Sequence, residues 1–268
     1  MAPSDLEEAL ALRAEHGDEA TVLAGGTFLG ILMNQGFVRP SAFLSLGRVS
    51  ALRGIEVAGA ELRLGAMTTH RDVERSEDVR AGWPVLARAF GLVASPRVRN
   101  QATVGGVLAD ADYASDPPAV LAALGARAVL RSPSGEREVA MDELILGYYE
   151  TCIEPDELLV EVVVPPAPDR ATYRKFRSRS SEDRPCVAVA ATREGPTVRV
   201  VVGAVSEVPQ SFPDVCAQAG GTLDADSARA IAAGYAERIE PMSDARGSAA
   251  YRRRVTQVEV RRALEELM

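Results

Sequence analysis

A proline-rich segment at residues 165–169 divides the chain, because Pro165, Pro166 and Pro168 fall close together there. Proline has no backbone N–H for a sheet ladder, so a β-rich run that reaches this segment must end. Before it, short strands alternate with helical segments. After it come three β-rich runs, at about residues 171–178, 186–192 and 197–206, and then two helical segments. This order predicts an α+β fold with a larger domain at residues 1–167 and a smaller α+β domain at residues 168–268, whose three strands form an antiparallel sheet.

Composition narrows the class of protein. The chain has 268 residues, a net charge of −8 and 47% hydrophobic residues, as expected for a globular protein rather than a disordered one. The acidic excess argues against nucleic acid as a partner. No apolar run approaches the roughly 20 residues of a membrane span, and the polar N-terminus does not resemble a secretory signal. We therefore expect a cytoplasmic protein without a membrane span.

Cysteines and histidines are scarce. The cysteines are Cys152, Cys186 and Cys216, far apart in the chain, and the only histidines are His16 and His70. An iron–sulfur cluster needs about four thiolates, and a zinc site needs several clustered ligands. We expect both histidines to be structural or on the surface, and we expect no metal site. Redox chemistry would therefore have to come from a bound cofactor.

The basic residues are almost all arginine: of the 30 lysines and arginines, only Lys175 is a lysine. Codon usage that favours arginine explains the bias, and an exposed position on a strand is the ordinary role for a lysine. Arginine and lysine differ in shape, hydration and donor geometry. The one remaining lysine is therefore a candidate for a site where arginine would not serve.

Two glycine pairs, in residues 24–27 (Ala-Gly-Gly-Thr) and 103–106 (Thr-Val-Gly-Gly), are each predicted to follow a short strand. Adjacent glycines let backbone N–H groups converge on an anion, and the start of a following helix adds its dipole. The hydroxyls of Thr27 and Thr103 add groups that bond phosphate or ribityl oxygens. Neither segment matches the G-x-G-x-x-G or Walker A pattern, and a plain tight turn is the alternative for each. Two such segments in the same half of the chain favour a pyrophosphate site.

Several segments together resemble the FAD-binding (medium) subunits of the molybdenum hydroxylase family, which include the medium subunit of carbon monoxide dehydrogenase and the flavin domain of xanthine dehydrogenase. Residues 23–29 are similar to the first FAD loop of that family, and residues 99–106 with 115–118 are similar to its second FAD signature. The remaining matches are at residues 147–151, 155–159 and 246–252. The resemblance follows the family order over nearly the whole chain.

The resemblance implies a two-lobed FAD-binding domain of the p-cresol methylhydroxylase type, with lobes at about residues 1–50 and 51–167. A C-terminal α+β domain of the carbon monoxide dehydrogenase flavoprotein type follows. FAD is expected to bind non-covalently, because neither glycine segment contains histidine or cysteine. The residues expected to wrap the pyrophosphate are Leu23, Ala24, Gly25, Gly26, Thr27, Phe28 and Leu29. Those expected at the ribityl–phosphate region and the flavin are Thr103, Gly105, Gly106, Asp116, Leu159 and Lys175.

Three of these residues have roles that the resemblance makes specific. Asp116 would hydrogen-bond the ribityl chain or nearby polar atoms of the flavin, and it is also placed to cap the helix that begins at Pro117. Leu159 would pack against the isoalloxazine ring. Lys175 would place a positive charge near the N1–C2 region of the flavin, which stabilises the anionic reduced flavin and raises its reduction potential.

Some positions depart from the family pattern. Val107 lies where Asn or Asp usually follows the second glycine pair, and Phe28 lies where a small or polar residue is common. The N-terminus lacks the short aromatic strand that often precedes the first helix. We therefore expect an altered affinity for FAD.

The resulting hypothesis is an FAD-binding electron-transfer subunit of an oxidoreductase, with no catalytic residue of its own. In a hetero-oligomer, a molybdenum–pterin subunit would oxidise the substrate, an iron–sulfur subunit would pass electrons to the FAD, and an external acceptor would receive them. One alternative is a self-contained FAD-dependent reductase or oxidase on the same fold, with Tyr148, Tyr149 or Cys152 as proton donor. Another is a flavin-free assembly protein, which Val107 favours. A flavin spectrum and the co-purifying partners distinguish these hypotheses.

Overall fold

The computed structural model describes residues 1–180, 182–217 and 220–268. The N-terminal segment contains, in chain order, α1 (Leu6–His16), β1 (Ala20–Leu23), α2 (Leu29–Asn34) and β2 (Ala42–Ser45). Helix α1 begins where the Asp5 carboxylate accepts the backbone N–H of Glu8 at 2.9 Å, and it ends at Gly17. Strands β1 and β2 are parallel, so the chain between them crosses over through α2.

The middle of the chain forms a five-stranded antiparallel sheet with helices on one face. Its elements are β3 (Ile55–Ala58), β4 (Glu61–Gly65), α3 (His70–Arg75), α4 (Glu77–Gly82), α5 (Pro84–Gly91), α6 (Pro96–Arg99), α7 (Val104–Ala109), α8 (Pro117–Ala123), β5 (Arg127–Ser132), β6 (Gly135–Ala140), α9 (Met141–Leu144), β7 (Ile145–Gly147), β8 (Glu150–Thr151) and β9 (Leu158–Val164). The strand order in the sheet is β3-β4-β9-β5-β6, and β7 with β8 forms a separate hairpin.

The central strand β9 is buried on both faces, which explains its nearly continuous apolar sequence. Val160 and Val163 pack with α1, β1 and β2, whereas Leu159 and Val162 pack with the helices. Strict alternation would place residues 159 and 162 on opposite faces. The register between β5 and β9 shifts once, however, and this β-bulge turns Leu159 toward the helices.

The predicted α+β fold and its three-stranded antiparallel sheet are confirmed. The C-terminal elements are β10 (Arg170–Phe176), β11 (Val187–Glu194), β12 (Thr197–Gly203), α10 (Pro213–Ala217), α11 (Ala225–Arg238) and α12 (Ala249–Glu265). Successive residues of a strand point to opposite faces. Ala188 and Ala190 therefore join the core that contains α8, whereas Val187 and Val189 pack with α11 and α12.

The layers follow from these contacts. The N-terminal segment covers one face of the five-stranded sheet, and the layer containing α5, α7 and α8 lies between its other face and the three-stranded sheet. In the part of the chain that the structure describes, no helix is long and apolar enough to cross a membrane. Within the same residues, no group of three or more His, Cys, Asp and Glu side chains is arranged to hold a metal ion.

Candidate cofactor-binding site

A cavity of about 960 Å³ is bordered by both glycine segments, the start of β9 and the end of β10. This volume is near the upper end of the range for small-molecule sites. Every residue predicted to bind the cofactor lines it: Leu23, Ala24, Gly25, Gly26, Thr27, Phe28, Leu29, Thr103, Gly105, Gly106, Asp116, Leu159 and Lys175. The fold thus brings residues of the N-terminal segment, the helix layer and the C-terminal sheet to one site.

The first glycine segment connects β1 to α2 along the cavity. Gly26 has a φ of +67°, a left-handed conformation that favours glycine. A Cβ atom on Gly25 would lie 2.0 Å from the carbonyl oxygen of Gln101, so the backbones of the two signature segments are in direct contact. No backbone carbonyl of the described residues accepts the N–H of Gly25, Gly26, Thr27 or Phe28. These free donors suit an anion.

The second glycine segment does not follow a strand, contrary to the sequence-based prediction. Thr103 forms a single bridge with Thr69, and its hydroxyl caps α7 by accepting the Gly106 N–H at 3.1 Å. The Gly105 N–H donates to the Ala66 carbonyl at 2.7 Å, and a Cβ on Gly105 would lie 2.7 Å from the Cβ of Ala66. Both glycine donors are therefore used inside the protein. The Thr103 hydroxyl proton remains available to a ligand.

Lys175 is buried, with 2% of its side chain exposed. Its Nζ donates to a carboxylate oxygen of Asp116 at 2.9 Å and to the Leu92 carbonyl at 2.9 Å, and the Tyr173 hydroxyl donates to the other oxygen of Asp116. Asp116 lies at the N-cap position of α8 as predicted, but its side chain makes no capping hydrogen bond to the helix. Burial raises the pKa of Asp116, whereas Lys175 and Tyr173 act to lower it. The two donors to its oxygens suit an ionised carboxylate.

His70 also lines the cavity, and sequence reasoning did not identify it as a site residue. Its Nε2 lies 3.2 Å from the carbonyl oxygen of Thr103, which can only accept, so we assign the proton to Nε2. Burial lowers the pKa of His70 to about 4, which keeps the ring neutral near pH 7. Nδ1 is then a buried acceptor without a partner among the described residues. A lone histidine at a helix start gives no sequence signal for this arrangement.

A ring of contacts joins four chain segments at the cavity. Arg184 pairs with Asp112 at 2.7 Å, and its guanidinium lies 5.1 Å from the centre of the Phe28 ring. Phe28 stacks on Tyr149 with ring centres 5.9 Å apart, and the Tyr149 N–H donates to the carbonyl of Ala111, the neighbour of Asp112. Tyr149 and Ala111 have φ values of +59° and +44°, an uncommon conformation for residues with a Cβ atom. The departure at Phe28 thus has an aromatic and a cationic partner in this chain.

Asp110 lies at the end of α7 and lines the same cavity. Burial and the neighbouring Asp112 raise the pKa of Asp110 to about 7, against the lowering effect of Arg184. Its charge therefore changes near neutral pH. Val107 lies one helical turn before Asp110. It is partly buried against the core and also lines the cavity, where it presents an apolar side chain.

Comparison with known proteins decides the family. Residues 1–167 match the family model of the FAD binding domain in molybdopterin dehydrogenase, and residues 171–267 match that of the CO dehydrogenase flavoprotein C-terminal domain. The chain belongs to this flavoprotein family. The resemblance found in the sequence is thereby confirmed.

Similar proteins match over nearly the whole chain. The chain is 33% identical to the carbon monoxide dehydrogenase medium chain of Hydrogenophaga pseudoflava, over 98% of this chain and 94% of that protein. It is 32% identical to the nicotine 6-hydroxylase medium subunit of Paenarthrobacter nicotinovorans, over 98% of this chain and 95% of that protein.

Solved structures agree with this assignment. A chain of the Cu,Mo-CO dehydrogenase, in its cyanide-inactivated form, matches with a TM-score of 0.92 and 32% identity, over 99% of this chain and 95% of that chain. A chain of quinoline 2-oxidoreductase from Pseudomonas putida 86 matches with a TM-score of 0.92 and 30% identity, over 98% of this chain and 94% of that chain. The whole flavoprotein, with both sheets, therefore has the fold of these proteins.

Proposed function

We propose that this chain is the FAD-binding electron-transfer subunit of a molybdenum hydroxylase. One observation carries the proposal: the free N–H groups of residues 25–28 and the buried Lys175 border the same large cavity. An anion site and a lysine in one cavity suit a ligand that has a pyrophosphate and a ring that gains negative charge on reduction.

The residues of the cavity fit FAD. The N–H groups of residues 25–28 would bind the pyrophosphate, and the His70 Nδ1 and the Thr103 hydroxyl would bond ribityl hydroxyls. Leu159 would pack against the isoalloxazine ring, and Lys175 would donate to its polar edge. When bound, FAD supplies the capacity to accept and release two electrons. The chain itself binds and orients the cofactor and sets the charge around it.

The glycines of the second segment would contribute mainly by allowing close packing, because they have no Cβ atom. A Cβ atom on Gly106 would lie 2.8 Å from the Thr103 hydroxyl oxygen and 3.6 Å from the Cβ of Ala24. Gly105 fits against Ala66 in the same way. We propose that both border the ribityl–phosphate region through close packing, Gly106 beside Ala24 of the first segment and Gly105 against Ala66, rather than by donating to the phosphates.

We further propose that the chain works in a hetero-oligomer. Its relatives include proteins named as medium chains and medium subunits. The chain has three cysteines, fewer than the roughly four thiolates of an iron–sulfur cluster. An iron–sulfur subunit would therefore deliver electrons to the FAD, a molybdenum–pterin subunit would oxidise the substrate, and an external acceptor would take the electrons.

Two further proposals concern location and domain organisation. A cytoplasmic location is supported by the three cysteines, all of which are free thiols.

A division into domains of residues 1–167 and 168–268 is supported by the proline-rich segment between the two sheets. The core around α8 nevertheless includes side chains from both sides of this segment.

The test is to purify the full chain after expression with its neighbouring genes. We expect a flavin absorption spectrum close to one FAD per chain, and co-purification with subunits that contain iron, acid-labile sulfur and molybdenum. A folded chain that takes up no FAD on reconstitution would contradict the proposal in favour of an assembly protein. A monomer that turns over a substrate without partners would contradict it in favour of a self-contained enzyme.

A further inference from the structure

Both carboxylate oxygens of Asp116 accept hydrogen bonds from protein donors, and this changes its expected role. The Tyr173 hydroxyl donates to one carboxylate oxygen, and Lys175 Nζ donates to the other at 2.9 Å. The Asp116 side chain is 4% exposed and that of Lys175 is 2% exposed. The buried carboxylate therefore has a structural partner on each oxygen, whether or not a ligand is present. It is the partner of the lysine.

The fold places these groups together for simple reasons. Tyr173 and Lys175 are two residues apart on β10, so their side chains leave the strand on the same face. Their partners on β11 are Ala190 and Ala188, whose small side chains leave room for two large ones. Asp116 immediately precedes α8, which packs on the same sheet.

Lys175 retains one donor for the cavity. An ammonium group has three N–H bonds, and two of them are directed at Asp116 and at the Leu92 carbonyl. No third acceptor for Nζ occurs among the described residues, and Lys175 lines the cavity. The lysine therefore presents a donor to the cavity while its charge is balanced by a carboxylate 2.9 Å away.

We propose that Asp116 is the counter-ion of Lys175 and lowers the reduction potential of the bound flavin, with Tyr173 as the positioning residue that holds Asp116 in place. This inference rests on the proposed function, since it requires FAD in the cavity. A lone buried lysine would act on the flavin as a full positive charge, because a charge in a low-dielectric interior is weakly screened. Paired with Asp116, it acts as a dipole and favours the reduced flavin less.

The charged groups around Asp116 are consistent with this assignment. Burial raises the pKa of Asp116, whereas Lys175, Tyr173 and Arg177 act to lower it, and the Tyr173 hydroxyl donates to its carboxylate. Burial and the negative Asp116 raise the pKa of Tyr173 far above its usual value, so Tyr173 remains a donor. Loss of either donor would raise the pKa of Asp116 further and favour its protonation.

The experiment measures the midpoint potential of FAD in the full chain, purified with its cofactor, over a range of pH. Asp116→Asn keeps the shape but removes the negative charge, so the potential should rise. Tyr173→Phe should give a smaller rise that grows as the pH falls, because more Asp116 is then protonated. Tyr235→Phe is the matched control, since the Tyr235 hydroxyl donates to the Val200 carbonyl in a different core, and it should leave the potential unchanged.

Removal of one member of a buried ion pair leaves the other charge uncompensated, so Asp116→Asn alone is expected to lose stability. A double variant that removes both charges keeps the test independent of this loss. Asp116→Asn with Lys175→Met removes both charges and should return the potential toward that of the wild type. The inference is overturned if Tyr173→Phe and the single Asp116 variant bind FAD with unchanged potentials. It is also overturned if the double variant lies as far above the wild type as Asp116→Asn does. Failure of the wild-type chain to bind FAD would instead refute the proposed function.

Discussion

The two glycine segments share a sequence pattern but use their backbone donors differently. In residues 25–28 the N–H groups have no backbone acceptor among the described residues, whereas those of residues 104–106 donate to Thr68, Ala66 and Thr103. The first segment enters α2 beside the cavity, and the second begins α7 packed against residues 66–68. A glycine pair can therefore serve a ligand or serve close packing. The partners of its donors, rather than the pattern, distinguish the two.

The largest effect is expected from Gly25→Ala. The new Cβ would lie 2.0 Å from the Gln101 carbonyl oxygen, which cannot move independently of its backbone. We expect a loss of about 3 kcal/mol or more in the free energy of unfolding, together with loss of FAD binding. Denaturant unfolding and FAD titration measure both. Gly30→Ala in α2 is the control, since nothing lies within 4 Å of its Cβ position. Equal stability of the two variants would contradict direct contact between the segments.

The second segment should be sensitive to acid through His70, which donates to the Thr103 carbonyl. The pKa of His70 in the folded chain, about 4, is below its ordinary value of 6.5, so the unfolded chain takes up this proton first as the pH falls. Through His70, the free energy of unfolding therefore has its full value above about pH 6.5. It falls by about 3 kcal/mol as the pH is lowered toward 4.

The measurement is the free energy of unfolding against pH for the wild type and His70→Gln. The glutamine keeps a donor for Thr103 but does not titrate. The difference between the two curves isolates His70 from Asp110, whose raised pKa acts in the opposite direction between its unfolded value and about 7. Parallel curves would show that protonation of His70 does not affect the second segment.

A smaller effect on stability is expected from Thr103→Ala. The hydroxyl caps α7 through the Gly106 N–H at 3.1 Å, and loss of such a cap costs about 1 kcal/mol. Thermal or denaturant unfolding of the protein without FAD measures it. Thr103→Ser, which keeps the hydroxyl, should retain most of the stability. An alanine variant as stable as the wild type would remove the structural role assigned to this threonine.

The smallest effect is expected from Thr27→Ala, and it should appear in binding rather than in stability. We expect a loss in FAD affinity of about threefold, or roughly 0.6 kcal/mol, as for one modest hydrogen bond. The unfolding free energy without FAD should change by less than about 0.5 kcal/mol. Fluorescence titration with FAD measures the affinity. A variant that loses stability instead would show that both segments use their threonines internally.

Sequence reasoning was successful where the pattern is local. The three β-rich runs after the proline-rich segment form β10, β11 and β12 as predicted, because alternation and turn residues specify a meander over short distances. The family resemblance selected residues that all line one cavity. Their individual contacts with FAD remain predictions.

Sequence reasoning was unsuccessful where a structural feature depends on residues that are distant in the chain. The second glycine segment begins a helix and follows no strand in the part of the chain that the structure describes. Its bridge joins Thr103 to Thr69, which is distant in the chain. Asp116 has the sequence of a helix cap before two prolines, yet its carboxylate binds Lys175 and Tyr173. Arg184 and His70 have no local signal for a site, since each reaches the cavity only through the fold.

The amino-acid sequence by itself determined the fold class, the succession of the two sheets and the family, because these depend on periodicity, on turn residues and on motifs in order. It also singled out Lys175 as the only lysine. Only the tertiary structure decided what surrounds that lysine. Packing α8 on the three-stranded sheet buries Asp116, Tyr173 and Lys175 together, and a buried charge must be paired. The sequence therefore identified the cation, and the fold determined how much of its charge a cofactor in the cavity would experience.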